Sequence, residues 1–175
     1  MCGGDDHDHD IAAHVPDEGL RVVVVGKGGV GKSILTAVLA RTLARGGARV
    51  LAVDADEQRS LASTLGLDAD AARAITAVSA TADYIEEKTG IRPGEGTGGM
   101  MRMNPDTSDI VDRLAVTGPD DVRLLVMGGV QHAGAGCLCP ENAVLAAVLS
   151  GMRLRRGEIV VMDTHAGVEH FGRAL

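Results

Sequence analysis

The chain has 175 residues, 45% of them hydrophobic and 23% charged, and a formal net charge of −7. That length suits one well-packed domain rather than two, and the acidic balance argues against nucleic acid or anionic membrane as a partner, since both are held by clustered Lys and Arg. No apolar run is long enough to span a bilayer, and with one Tyr, one Phe and no Trp the core has to be built from Val, Leu, Ile, Ala and Met.

Residues 1–19 read as a tail. Met1-Cys2-Gly3-Gly4-Asp5-Asp6-His7-Asp8-His9-Asp10 has no periodic apolar face and cannot bury enough surface to order itself. It also lacks the apolar core of a signal peptide, so a cytoplasmic location is expected. There, three cysteines read as metal-binding or redox groups before they read as disulfides. Cys2, His7, His9 and His14, among several Asp, form a loose potential metal store, although a solvated acidic tail is the simpler reading.

Folded structure is expected from Leu20. The apolar run Val22-Val23-Val24-Val25 predicts a strand over about 20–26, followed by Gly26-Lys27-Gly28-Gly29-Val30-Gly31-Lys32-Ser33. A helix with Ile34, Leu35, Val38, Leu39 and Leu43 on one face then runs to about Arg45 and stops at Gly46-Gly47. A second strand, 49–54, leads into Asp54-Ala55-Asp56. A short helix near 59–65, a helical stretch from Ala69 and a helix across 79–89 come next, and 93–105 reads as a Gly- and Met-rich loop. A third strand is expected at 122–128. A Gly-rich segment then delivers Gly136-Cys137-Leu138-Cys139-Pro140, with Pro140 opening a helix to about Leu149. A fourth strand, 159–163, ends in Asp163-Thr164-His165-Ala166-Gly167. Strands that are nearly continuous apolar runs and alternate with helices imply an α/β fold: a mostly parallel sheet covered by helices on both faces.

Strand, G-x-x-x-x-G-K-S, helix is the context that makes a phosphate-binding P-loop credible. Two of the three lysines sit in this one loop, whereas the rest of the chain prefers arginine, fourteen times. The N–H groups of Gly28 to Ser33 can wrap a phosphate at the helix N-terminus. Lys32 would reach the β/γ-phosphates of ATP and Ser33 would ligate Mg²⁺. Asp54, Asp56 and Asp163 each follow an apolar strand, on the sheet edge where ligands of such folds bind. Asp163 suits Mg²⁺ organisation through water, Asp56 suits orientation of the attacking water, and Gly167 could offer its N–H to the γ-phosphate. Any one of these Asp residues, taken alone, is as well read as a polar strand end.

The extra lysine, Lys27, is not required of a P-loop. With it, Gly26–Ser33 resembles the deviant Walker A loop of the MinD/ParA/nitrogenase iron-protein class of ATPases, in which that lysine crosses a dimer interface to the partner's nucleotide. By that resemblance 20–175 is a P-loop ATPase domain, Asp54-Ala55-Asp56 is switch I and Asp163–Gly167 is switch II. Within the class, Gly136-Cys137-Leu138-Cys139-Pro140-Glu141-Asn142, Ala166-Gly167-Val168-Glu169-His170 and Met103-Asn104-Pro105 are similar to the CooC-type ATPases, which insert nickel into carbon monoxide dehydrogenase. Glu57 departs from the pattern, standing where the class usually has proline, as does the 19-residue tail. The resemblance further implies strands and base-binding elements beyond Leu175, so the chain is expected to be a C-terminally incomplete copy of the domain.

Cys137 and Cys139 precede a helix N-terminus, where a thiolate is stabilised. One C-x-C pair supplies two ligands, and a closed structural site needs four. The dimer that Lys27 implies would supply four thiolates, suiting Ni²⁺ or Zn²⁺; two thiols without metal is the alternative. The close C-x-C spacing disfavours an iron–sulfur cluster shared in the manner of the nitrogenase iron protein. His132 and His165 read as ordinary loop histidines. The expected function is an ATP-dependent nickel metallochaperone acting as a homodimer on carbon monoxide dehydrogenase. A positioning or partitioning ATPase of the MinD/ParA kind and a non-catalytic metal-binding fragment are the alternatives.

Overall fold

The structure is a computed structural model that describes residues 19–94, 100–128, 140–152 and 154–164. Most of the tail, Cys137 and Cys139, His132 and His165, and Gly167 lie outside the described residues.

The elements in chain order are β1 (Leu20–Val24), α1 (Lys32–Arg45), β2 (Arg49–Ala55), α2 (Leu61–Leu65), α3 (Ala69–Ala74), a 3₁₀ turn (Val78–Ala80), α4 (Ala82–Thr89), α5 (Ile110–Leu114), β3 (Val116–Thr117), a second 3₁₀ turn (Pro119–Asp121), β4 (Arg123–Val126), α6 (Pro140–Gly151) and β5 (Glu158–Thr164). The strands form one sheet in the order β1-β5-β2-β4-β3. The β1–β5, β5–β2 and β2–β4 pairings are parallel, and only β3 runs antiparallel to its neighbour. This is the mostly parallel sheet that the apolar runs predict.

Strand alternation divides the core in two. On one face Val24, Val50, Ala52, Leu124, Val126, Ile159 and Val161 pack against α1 and α2 through Ala37, Ala40, Leu61 and Leu65. Ala52 and Ala40 are completely buried; their small side chains let α1 lie close on the sheet. On the other face Val53, Leu125, Met127 and Val160 meet Ile85, Ile110, Val144 and Val148, and α4 packs on α6. Each fully buried Leu or Ile here contributes about 1.5–3 kcal/mol. The helix end expected at Gly46-Gly47 is present. The Ala48 N–H donates to the Leu43 carbonyl at 3.1 Å and the Gly47 N–H to that of Ala44 at 2.9 Å, closing the last turn of α1.

Three elements escape the sequence reading, α5, β3 and the 3₁₀ turn Pro119–Asp121. A two-residue strand carries no periodicity, and α5 is a five-residue helix. α5 owes its place to Ile110, buried in the second core, and to Asp109 just before it. The Asp109 carboxylate accepts from the Tyr84 hydroxyl at 3.0 Å and pairs with Lys88 and Arg113. The Arg113 guanidinium and the Lys88 ammonium also stand 4.7 and 5.3 Å from the centre of the Tyr84 ring. This polar knot joins α4 to α5. Its three hydrogen bonds hold the Asp109 carboxyl low, at about 2, against the opposing effect of burial.

Where β4 ends, Gly128 has φ +77, and a Cβ there would stand 2.3 Å from Ser79 Oγ and 2.8 Å from Ala77 Cβ. Backbone conformation and close approach both require glycine. Gly128→Ala is expected to destabilise the fold by at least about 2 kcal/mol, read as a lower denaturation midpoint with an unchanged m-value.

Candidate functional site

The phosphate loop joins β1 to α1. Gly29 and Gly31 hold φ values of 77° and 92°, and a Cβ on either would meet nothing within 4 Å, so the loop backbone is open at both positions. Gly31 is the N-cap of α1. It supplies no side-chain cap, and the first turn carries no acidic residue. By contrast the N-terminus of α3 is closed by Asp68, whose carboxylate accepts from the N–H groups of Asp70 and Ala71. The uncapped donors and dipole of α1 are therefore left to an external anion.

Lys32 is buried at the head of α1, and its ammonium donates to the Lys27 carbonyl across the loop at 3.3 Å. Lys27 itself is exposed and has no ion-pair partner among the described residues. The two lysines thus differ, Lys32 being drawn inside the loop and Lys27 exposed. The Ser33 hydroxyl lies 2.9 Å from that of Ser60, a contact between the loop and the start of α2 that the sequence reading does not include.

Register decides the positions of the carboxylates. Asp163 stands opposite both Val24 and Asp54, so Asp54 and Asp163 lie side by side on one face at the C-terminal ends of their strands. Both are fully buried, and their surroundings differ. The Asp54 oxygens are committed: Oδ1 accepts from the Asp56 N–H and Oδ2 from the Leu61 N–H, each at 3.0 Å. Asp54 thereby folds the 54–61 turn back on itself and caps α2, a task its place in a motif does not announce. Burial raises its pKa to about 6; the two N–H donors oppose this and the negative charges of Asp163 and Asp56 add to it.

Neither oxygen of Asp163 has a hydrogen-bond partner among the described residues. Burial raises its pKa, Ser33 opposes the rise without reaching hydrogen-bond geometry, Asp56 adds to it and Lys32 opposes it. Asp56 is half-buried, and its carboxylate accepts from the Gln58 N–H at 2.9 Å. The structure thus gathers Lys32, Ser33, Asp54, Asp56 and Asp163 at one end of the sheet. An orphaned buried carboxylate beside a serine hydroxyl and a buried lysine, below an uncapped helix, fits a phosphate with its divalent cation. Among the described residues no group of three or more His, Cys, Asp or Glu is placed to hold a metal ion by itself, and no helix is long and apolar enough to cross a membrane.

Residues 21–156 match the model of the CobQ/CobB/MinD/ParA nucleotide binding domain. The chain belongs to this family. The similarity to CooC-type ATPases also holds. The chain is 42% identical over 154 residues to the carbon monoxide dehydrogenase accessory protein CooC of Rhodospirillum rubrum, a match that covers 88% of this chain and 57% of that protein. It is 36% identical over 154 residues to an uncharacterised ATP-binding protein of Methanocaldococcus jannaschii, covering 88% of this chain and 58% of the relative. A plasmid partition protein of Borrelia burgdorferi aligns in structure with a TM-score of 0.42 at 18% identity, over 84% of this chain and 56% of that one. The chain thus spans less than two thirds of the length of these relatives.

The raised pKa of Asp54 favours the protonated form in the fold. Its contribution to stability is complete below the ordinary value near 3.8 and is lost as pH rises through about 6. Asp54→Asn is therefore expected to gain on the wild type by about 2 kcal/mol between pH 4 and pH 7, measured as the difference in unfolding free energy at the two pH values.

Proposed function

We propose that this chain binds ATP with Mg²⁺ on the Gly26–Ser33 loop and works as a CooC-type ATPase in the cytoplasm, coupling nucleotide state to nickel delivery to carbon monoxide dehydrogenase. The observation that carries the reading is the buried Asp163 carboxylate, without a hydrogen-bond partner among the described residues, beside Lys32 and Ser33 beneath an uncapped α1. That donor set matches what a nucleotide triphosphate and its cation require, in a chain whose family is one of nucleotide-binding domains.

In this reading the N–H groups of Gly28 to Ser33 bind the phosphates, helped by the helix dipole. Lys32 exchanges its bond to the Lys27 carbonyl for the phosphate oxygens, gaining charge-assisted hydrogen bonds. Ser33 and, through water, Asp163 would hold Mg²⁺, which when bound would supply charge neutralisation at the phosphates. Asp54 keeps the switch I turn in shape, and Asp56 orients the attacking water. Gly167 senses the γ-phosphate from switch II. Lys27, turned outward, reaches the nucleotide of a second subunit, so the active form is a homodimer. Cys137 and Cys139 of both subunits then supply four thiolates to Ni²⁺, with Zn²⁺ the competing ion. The similarity to the R. rubrum accessory protein favours carbon monoxide dehydrogenase as the client. Release of metal follows from a difference in its affinity between open and closed dimers.

Lys32→Ala is expected to lower ATP turnover on the order of a hundredfold with the melting curve preserved. Lys27→Ala is expected to abolish ATP-dependent dimerisation while ATP binding persists, read by light scattering and nucleotide titration. Ni²⁺ titrated into the wild type should saturate at one ion per dimer, and Cys137→Ser/Cys139→Ser should remove that stoichiometry; an unchanged titration would exclude the metal role.

A further inference from the structure

A cleft of about 330 Å³ opens beside the C-terminal end of β4, lined by Arg59, Ala62, Ala72, Arg73, Ile75 and Val126. Its size is that of a small-molecule site. The floor is apolar: Val126 and Ala62 belong to the core under α1 and α2, and Ala72 and Ile75 pack against that core. Of the residues that line it, only the two arginines are charged, and both are exposed.

The two arginines are held differently. Arg73 pairs with Asp70, one turn earlier on α3, at 2.5 Å. Both side chains are largely exposed, so the pair is weak and exchangeable. The Arg59 guanidinium has no hydrogen bond or ion pair among the described residues. Its position is nonetheless defined: Nη2 lies 3.5 Å from the point that a Cβ on Gly128 would occupy, so the side chain crosses from the 54–61 turn to the end of β4. The Arg59 backbone holds φ +50, in the left-handed region that a residue with a Cβ rarely adopts. Strain kept at an exposed, charged residue points to a task for its side chain. Charge then sets the ligand. Asp70 offsets Arg73, which leaves the cleft with the surplus positive charge of Arg59. Guanidinium forks match a carboxylate bidentately, and a floor of Ala, Ile and Val suits an alkyl group.

We propose that this cleft binds a small monocarboxylate with an alkyl body, the carboxylate on Arg59 and Arg73 and the alkyl group over Ala62, Ala72, Ile75 and Val126. Occupancy has a direct route to the candidate phosphate site. The Arg59 N–H donates to the Asp56 carbonyl at 3.1 Å, and Val126 stands in register with Asp54. A ligand that holds the Arg59 side chain therefore also steadies the turn that carries Asp56. Binding needs no nucleotide, so the site goes beyond the ATPase reading. A glutamate beside an apolar residue on a peptide presents the same chemistry, and the test separates that source from a free acid.

The test is a titration of the nucleotide-free chain with 4-methylpentanoate to millimolar concentration, followed by methyl NMR and amide exchange. The proposal expects saturable shifts at the methyl groups of Ala62, Ala72, Ile75 and Val126. The Gln58 and Arg59 amides, which both bond to Asp56, should exchange at least about threefold more slowly. 4-Methylpentanamide, which keeps the body without the charge, and inorganic phosphate, which has charge without the body, should each bind at least about tenfold more weakly. Arg59→Gln should weaken 4-methylpentanoate at least about tenfold. Asp70→Asn, which frees Arg73, should tighten it about twofold. Both positions are exposed, and melting of either variant should stay unchanged. Absence of saturation, or shifts confined to other methyl groups, would overturn the proposal. So would equal binding of the amide or of phosphate, an affinity indifferent to both substitutions, or saturation by an acetylated and amidated Glu-Leu dipeptide alone. Because no nucleotide or metal enters the experiment, its outcome is separate from that of the nickel ATPase reading.

Discussion

Two carboxyl groups lie side by side at the ends of β2 and β5 because the parallel register puts Asp54 opposite Asp163. Burying two like charges at such a distance is unfavourable unless each is compensated. The fold meets this unequally. Asp54 receives two backbone N–H groups and becomes part of the architecture, whereas Asp163 receives none among the described residues. The same residue type, one strand apart, is thereby divided into a structural group and an available one. The 54–61 turn, the start of α2 and the Ser33–Ser60 contact all take their positions from that division.

Much of this architecture is legible in the sequence because its elements are long or chemically unmistakable. The valine run before Gly26, the glycine-spaced Lys32-Ser33 pair and the apolar runs that lead into Asp54 and Asp163 carry local patterns that reinforce one another when read together. Only distant contacts could reveal the remainder. The commitment of Asp54 to the Leu61 N–H spans seven residues of irregular backbone, and no local rule distinguishes it from a ligand-facing aspartate. Ser60 is unremarkable until α2 brings it to Ser33. α5 is held by a buried isoleucine and an aspartate that answers to a tyrosine and a lysine more than twenty residues earlier, which no window of sequence displays.

The helical layer of α1 and α2 over the sheet depends on smallness. With almost no aromatic residues available, the chain fills its core with Val, Leu and Ile and uses Ala wherever a helix must come close to the sheet. A core of this kind packs through shape alone. The polar sites at the strand ends are accordingly the places where the structure carries unmet demand.

The scarcity of aromatic residues has an optical consequence. With one tyrosine and no tryptophan, the tyrosine absorbance of the whole molecule originates at Tyr84, inside the knot of Asp109, Lys88 and Arg113. Burial, together with the hydrogen bond to Asp109, pushes the phenol well above its usual range. Its ionisation in alkali is therefore linked to the opening of the α4–α5 corner. Phenolate absorbance provides a built-in, label-free clock for that opening, on the face of the sheet opposite the one on which the phosphate loop enters α1.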